Sequence, residues 1–565
     1  MMRKSFALPF RLIACGMILS AGLAASAEPS SPSPYRITGV VLNSITGNPI
    51  ARCHLEISLT GRNQGPMRRA SAGNGFDADE HGRFSIPVTS AGAWRLTASA
   101  PGYVTQAFNE HNNYSSAIVL SASAPTYDLQ FRLPPQGRIS GSVLDEAGES
   151  VRNANVQLMT EVPPTPDHRV ASFVPRFFAQ TDDRGFYEFS SLPPGSYRIA
   201  VNARPWYASS VRQRSGTTSS SLDPSLDVAY PLTWYPGSSD SALAETLTLK
   251  AGDDRRADFQ LTPIPSLHLQ IIAPPPSSDG RTISSFPIVE RIDSNGANGF
   301  VQSSIGNNNG QFDISGLTPG TYRVRLQGPN QDPRSTVVQV TEGAAKVIDF
   351  SSATSSSMSN ITVHFDRDDD DSRPTMVEFT DTTNGQKFFP MYGGGRPMPV
   401  DMRRGQPREI TLQVPPGRYE VNITNRSDSY LASISAQGAD VEGRILTLHQ
   451  GDVTLTLHTV SGLATVKGIA SLAGKPSVGA VVMLVPAALD DPGSFTTLER
   501  DQSNTDGSFD LNDVVPGQYI LIAVDQGWDI NFNDPATLRN YLVHGVPLVV
   551  RSGASIKQNV DAQAP

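Results

Sequence analysis

The sequence predicts an all-β protein: a signal peptide followed by a tandem array of about five small Ig-like or transthyretin-like β-sandwich modules. Three observations lead there. Gly (47) and Pro (44) are plentiful among the 565 residues, which suits short strands joined by tight turns. One hairpin pattern recurs along the chain: an Asp/Asn-Gly turn, an alternating strand, a Pro-Gly turn and a return strand opened by an aromatic residue. No stretch carries helical periodicity over three turns. A chain this long divides into domains of ~100–200 residues. Hydrophobic residues at 38% and charged residues at 18% speak against wholesale disorder.

Residues 1–27 read as a secretory signal peptide. Arg3, Lys4 and Arg11 precede the apolar stretch Leu12–Ala25, and Ala25-Ser26-Ala27 supplies small residues for cleavage before Glu28. The rivals are a lipoprotein signal ending at Cys15 and an uncleaved anchor. The apolar stretch is short for an anchor, and no later segment approaches the ~20 apolar residues of a spanning helix. The expected localisation is therefore export, to the periplasm, the cell surface or the medium. After cleavage Cys53 is the one remaining cysteine, so an internal disulfide is excluded and the modules must hold by their cores. The net charge is −9, and loss of the three basic leader residues leaves −12. That acidity argues against nucleic acid as a partner.

The modules are expected at 35–134, 135–264, 265–350, 351–460 and 461–565. In the first, His81-Gly82-Arg83-Phe84-Ser85-Ile86 is followed by Ala91-Gly92-Ala93-Trp94. The second is the fullest: Asp182-Asp183-Arg184-Gly185-Phe186-Tyr187-Glu188-Phe189, then Leu192-Pro193-Pro194-Gly195-Ser196-Tyr197. The third has Asn309-Gly310-Gln311-Phe312 and Pro319-Gly320-Thr321-Tyr322. The fourth lacks the leading turn but keeps Pro415-Pro416-Gly417 and Tyr419, and the fifth has Asp506-Gly507-Ser508-Phe509 and Pro516-Gly517-Gln518-Tyr519. Gly accepts positive φ in the first turn while Asp or Asn caps local N–H groups. Phe, Ile and Leu then alternate with polar residues as on a half-buried strand, and Pro-Gly reverses the chain. Upstream, Gly39, Gly141 and Gly468 stand in similar opening strands. Pro134-Pro135, Pro263 and the Ser-rich run 351–359 mark boundaries.

The run from Gly141 to Val201 resembles the carboxypeptidase regulatory-like family, a transthyretin-like (prealbumin-like) seven-stranded sandwich. The likeness is strongest in the second module, good in the first and fifth, partial in the third and weak in the fourth. The family is usually an accessory fold on peptidases, receptors or polysaccharide enzymes, so the resemblance implies fold rather than ligand.

No zinc helix, nucleophile elbow, P-loop or dinucleotide fingerprint is present, and no cofactor or metal site is expected. Cys53 and His54 are neighbours on a strand and so face opposite sides. The run Asp366–Asp371 could attract Ca²⁺, but it lacks the Gly and distal Glu of a calcium loop and reads better as a solvated loop. The second module carries a long insertion, 202–241, holding Trp206, Tyr207, Trp234 and Tyr235. Aromatic rings there are candidates to stack on sugars or to fill protein hot spots. Trp94 stands where sister modules have Tyr and reads as core; Trp528 is a weaker surface candidate. The leading expectation is a non-catalytic binding or structural scaffold at the cell envelope, its partner another envelope protein. The alternatives are a carbohydrate-binding accessory protein, its partner a polysaccharide, and, third, an enzyme with an unrecognised site.

Overall fold

The computed structural model describes residues 34–565 apart from 61–73, 163–171, 209–223, 274–285, 293–297, 301–302, 309–310, 328–333, 344–345, 352–358, 368–374, 384–386, 393–395, 398–408, 426–428 and 492. The leader and most of the acidic run fall outside them.

One pairing scheme repeats along the chain. An opening strand runs antiparallel to the first hairpin strand and parallel to the closing strand. In the first sandwich Arg36–Asn43 lies between Arg83–Pro87 and Thr126–Leu133. In the second, Gly137–Leu144 pairs with Phe186–Leu192 on one side and with Asp254–Arg256 and Phe259–Gln260 on the other. Leu267–Ile272 lies between Gln311–Leu317 and Lys346–Asp349, and Ser359–Arg367 between Glu409–Val414 and Asp452–Ser461. In the fifth, Ala464–Leu472 pairs with Ser508–Val514 and with Ser555–Lys557 and Val560–Gln563.

The facing sheet is built each time on the second strand paired with the return strand: His54–Leu59 with Gly92–Ser99, Asn155–Val162 with Gly195–Asn202, Phe286–Ile292 with Gly320–Gln327, Thr375–Asp381 with Gly417–Asn425, and Val481–Pro486 with Gly517–Val524. Inward-facing side chains of the two sheets make a separate core in each sandwich. The all-β expectation is met.

Two sets of residues show why the repeat has its sequence. A Cβ on Gly39, Gly141 or Gly468 would collide with the carbonyl oxygen of Leu129, Ala257 or Gln558, so glycine lets the closing segment approach. The aromatic residue that opens each return strand is a latch. The hydroxyls of Tyr197, Tyr322, Tyr419 and Tyr519 donate to the carbonyls of Pro193, Thr318, Pro415 and Val515 at 2.7, 2.6, 2.8 and 2.7 Å. Trp94 makes the same four-residue reach, its Nε1 donating to Ser90 O at 3.2 Å. In the four tyrosine cases the ring fills the core while its polar tip holds the Pro-Gly corner.

The fifth sandwich departs from the scheme twice. Val560–Gln563 also pairs with the return strand, Ala523 opposite Ala562, and so joins the two sheets into one of nine strands. The strand Val481–Pro486 is buried on both faces because a second core lies behind it, around Met483, Ile522, Phe532 and Leu538. That second core is covered by the helix Pro535–Leu542, which the sequence reading did not expect. Asp534 caps it, accepting from the N–H groups of Ala536 and Thr537 at 3.2 and 3.1 Å, and Pro535 opens its first turn. At eight residues it is too short to show a helical repeat.

Candidate functional site

The insertion of the second sandwich leaves the return strand at Asn202 and returns to the sheet at Thr233–Trp234, opposite Val201 and Ala200. That pairing separates its aromatic residues. Trp206 is 81% exposed, whereas Trp234 is 1% exposed. Trp234 packs with Met159, Phe173, Ala200, Leu232 and Ala244 in a small core of its own. A ring so enclosed cannot stack on a ligand, which corrects the expectation for Trp234. Tyr235 is half-buried, its ring edge-on to Phe259 at 5.9 Å and packed against the main core. Of the four candidates, Trp206 and Tyr207 remain together at the surface, their rings at right angles with centroids 5.8 Å apart.

Tyr207 fixes this pair to the body of the sandwich. Its hydroxyl donates to Glu146 Oε1, and the hydroxyl of Tyr230 donates to Glu146 Oε2 at 3.0 Å. Burial pushes the Glu146 carboxyl up, but the bonds from Tyr207, its own N–H and Tyr230 outweigh it and hold the group below its ordinary value. Tyr207 is raised to about 12, by burial and then by its bond to Glu146. Glu146 lies in the turn between the first two strands of the sandwich, far in sequence from the insertion, and sequence reading gave no signal for it. The clamp holds one carboxylate ionised between two neutral phenols and leaves the indole of Trp206 as the uncovered apolar surface.

The other residues singled out in the sequence are tied into the fold. Cys53 is buried, and its thiol is raised to about 11 by burial first. His54 points outward and bonds Asp77 Oδ1 at 2.8 Å, so the two do face opposite sides. Among the described residues no three His, Cys, Asp or Glu side chains gather in metal-binding geometry. Asp366, at the edge of the acidic run, lies 3.2 Å from His458 Nδ1; residues 368–371 lie outside the described set. A cavity of about 200 Å³ beside His268 and Lys346 is smaller than the ~300–1,000 Å³ of ordinary small-molecule sites.

Two groups of perturbed acids and bases were not expected. His268 sits between Asp313 Oδ1 at 3.3 Å and Asp227 Oδ2 at 2.7 Å. The bond to Asp313 and, against the cost of burial, that to Asp227 raise it to about 9. It ties the second sandwich to the third, alongside the strand pair Val228–Ala229 with Ile264–Pro265. On the strand Glu499–Gln502, burial and then the charge of Asp513 raise Glu499 to about 8. Burial raises Asp501 to about 6 against bonds from the N–H groups of Asp510 and Gln502.

Trp528 is not a surface ring. Its Nε1 donates to Gly479 O at 2.8 Å, and its faces lie against His111 and Tyr114 of the first sandwich. It stands nine positions after Tyr519, as Trp206 does after Tyr197 and Tyr103 after Trp94. At Tyr103 the backbone bridges to Pro135 and its carbonyl accepts from Gln136 Nε2 at 2.7 Å, making the contact with the second sandwich. Among the described residues this position of the repeat thus touches another sandwich at Tyr103 and Trp528 and is uncovered at Trp206; the matching positions 331 and 428 lie outside them.

Residues 138–262 match the family model of the carboxypeptidase regulatory-like domain. No curated protein matches the chain. Among solved structures, GBS52, the minor pilin of Streptococcus agalactiae, is 12% identical, with 41% of this chain and 97% of that chain covered at a TM-score of 0.21. The shaft pilin SpaA of Lactobacillus rhamnosus GG is 8% identical, with 41% and 98% covered at 0.18. The Bacillus anthracis TIE protein is 10% identical, with 73% and 69% covered at 0.14. The second sandwich is thus similar in sequence, over residues 138–262, to a carboxypeptidase regulatory-like domain.

Proposed function

We propose that this chain is an exported, non-catalytic scaffold of the bacterial cell envelope, cleaved after residue 27, whose sandwiches present a docking surface to another protein. The units we assign are 35–134, 135–264, 265–350, 351–460 and 461–565. The observation that carries the reading is Trp206, an indole held out at the surface on the Tyr207–Glu146–Tyr230 clamp. Holding a large ring exposed is what a binding hot spot requires. The repeat position it occupies makes inter-sandwich contact elsewhere in the chain, which favours protein over sugar as its partner.

The test is affinity capture on the mature chain from envelope extracts, beside a polysaccharide and glycan panel. A protein retained by the wild type and lost with Trp206→Ala supports the docking role. Retention of a glycan that Trp206→Ala abolishes favours the carbohydrate reading instead. Equal capture of every partner by wild type and variant removes Trp206 from the function.

A further inference from the structure

The loop between the return strand and the last strand pair of the first sandwich ends in a tight turn, His111-Asn112-Asn113-Tyr114. His111 and Tyr114 exchange two backbone hydrogen bonds of 2.8 Å, and Asn112 and Asn113 both have positive φ, 49° and 70°. Such a turn needs two residues that tolerate the left-handed region, and asparagine does. It sets two rings on one side, and Trp528 of the fifth sandwich lies against both. The His111 and Trp528 rings are 5.4 Å apart and nearly parallel at 7°; those of Tyr114 and Trp528 are 5.6 Å apart.

A polar lattice continues the contact. The Gln502 side chain is 1% exposed, and the hydrogen-bond partners found for its amide are all in the first sandwich. It donates to Asn109 O and to Ser116 Oγ, the latter at 2.9 Å, and meets His111 Nδ1 at 3.2 Å. Ser116 Oγ donates to Ser503 O at 2.8 Å, with both residues buried. The strand Ile118–Leu120 uses one edge to pair with the return strand. Its other edge is taken by the fifth sandwich: Ala117 N donates to Asn504 Oδ1 at 2.8 Å and Val119 N to Thr505 Oγ1 at 2.9 Å, while Thr505 N returns a bond to Ala117 O at 3.0 Å.

The turn that makes these bonds is altered for them. In the first and second sandwiches the equivalent turns begin with Asp79 and Asp182. Each carboxylate caps its own turn, accepting from His81 and Arg83, and from Arg184 and Phe186. In the fifth the residue is Asn504, and its oxygen faces Ala117 instead. The next position is Glu80 or Asp183 in the sister turns and Thr505 here, so no carboxylate is driven into a contact that excludes water.

We infer that the first and last sandwiches form a built clasp that closes the chain into a ring, and that the free protein is a closed monomer rather than an extended stalk. Fully satisfied buried amides and hydroxyls at such a contact fix one register and no other.

Hydrogen exchange on the mature full-length chain tests this. The N–H groups of Ala117, Val119 and Thr505 find their partners across the contact, so closure slows all three together. The expected result is strong protection in the wild type. In Gln502→Ala and in Thr505→Glu these amides should exchange at least tenfold faster, while Val481–Pro486 stays protected. Thr505→Glu restores the residue type that sister turns carry in folded sandwiches, so it separates opening from unfolding. Wild-type exchange at the three amides as fast as at an exposed edge, or protection untouched by Thr505→Glu, overturns the clasp. Protection that grows with protein concentration, with elution as a dimer or larger, places the contact between copies and overturns closure within one chain. The Trp206 docking role stands or falls separately, because neither variant touches it.

Discussion

At the scale of single residues, the two indoles of one insertion make the sharpest contrast. Trp206→Ala removes an exposed ring and should move stability by less than ~0.5 kcal/mol. Trp234→Ala opens a cavity among Met159, Phe173 and Leu232 and should cost about 3–5 kcal/mol in chemical unfolding of the second sandwich. Both residues sit in Ser-rich sequence, and nothing local tells them apart. Their fates are decided by a pairing to Ala200 and Val201 some thirty residues upstream. The tyrosine latch was half legible: its recurrence marks a return strand, but the hydroxyl's target four residues back emerges only from the folded corner. Tyr322→Phe keeps the ring and leaves the Thr318 carbonyl, on a residue 5% exposed, without its donor. It should lower the midpoint of urea unfolding by the equivalent of about 1–2 kcal/mol.

At the scale of elements, protonation of His268 adds to the backbone pairing that joins the second and third sandwiches. The folded state raises His268 from 6.5 to about 9, so the folded form binds the proton more tightly than the unfolded one. The resulting stabilisation is complete below about pH 6.5 and is lost as pH rises through about 9. Proteolysis between the two sandwiches should accelerate over that window, and His268→Gln should flatten the profile. The strand Glu499–Gln502 has the same sign for another reason. Burial lifts Glu499 from 4.5 to about 8 and Asp501 from 3.8 to about 6. Their protons are held in the fold and given up on unfolding, so the fifth sandwich should be more stable at pH 5 than at pH 8, read as the exchange rate of Val481–Pro486. Most strands were legible because alternation and turn residues are local. The helix Pro535–Leu542 was not, since it spans only two turns and is held by the core beneath it. The continuous apolar run Val481–Pro486 was the available hint, for a strand buried on both faces loses its alternation.

For the whole molecule, the sequence made the sandwiches visible and left their contacts with one another hidden. A core announces itself by periodic apolar residues, whereas a polar contact between distant sandwiches is written in single substitutions such as Asn504 for Asp. Scattering from residues 28–565 should fit a compact closed particle, and Thr505→Glu should lengthen it without changing its strand content.

The parallel pairing of opening and closing strands carries a mechanical consequence. In the first and fourth sandwiches that pairing runs through eight consecutive residue pairs. Two neighbouring strands that point the same way are pulled along their common axis when a load is applied to the two ends of the unit. Every bond between them is then strained at once, instead of one after another as in peeling. The first and fourth sandwiches, where this pairing is longest, should therefore resist stretching better than the second, third and fifth.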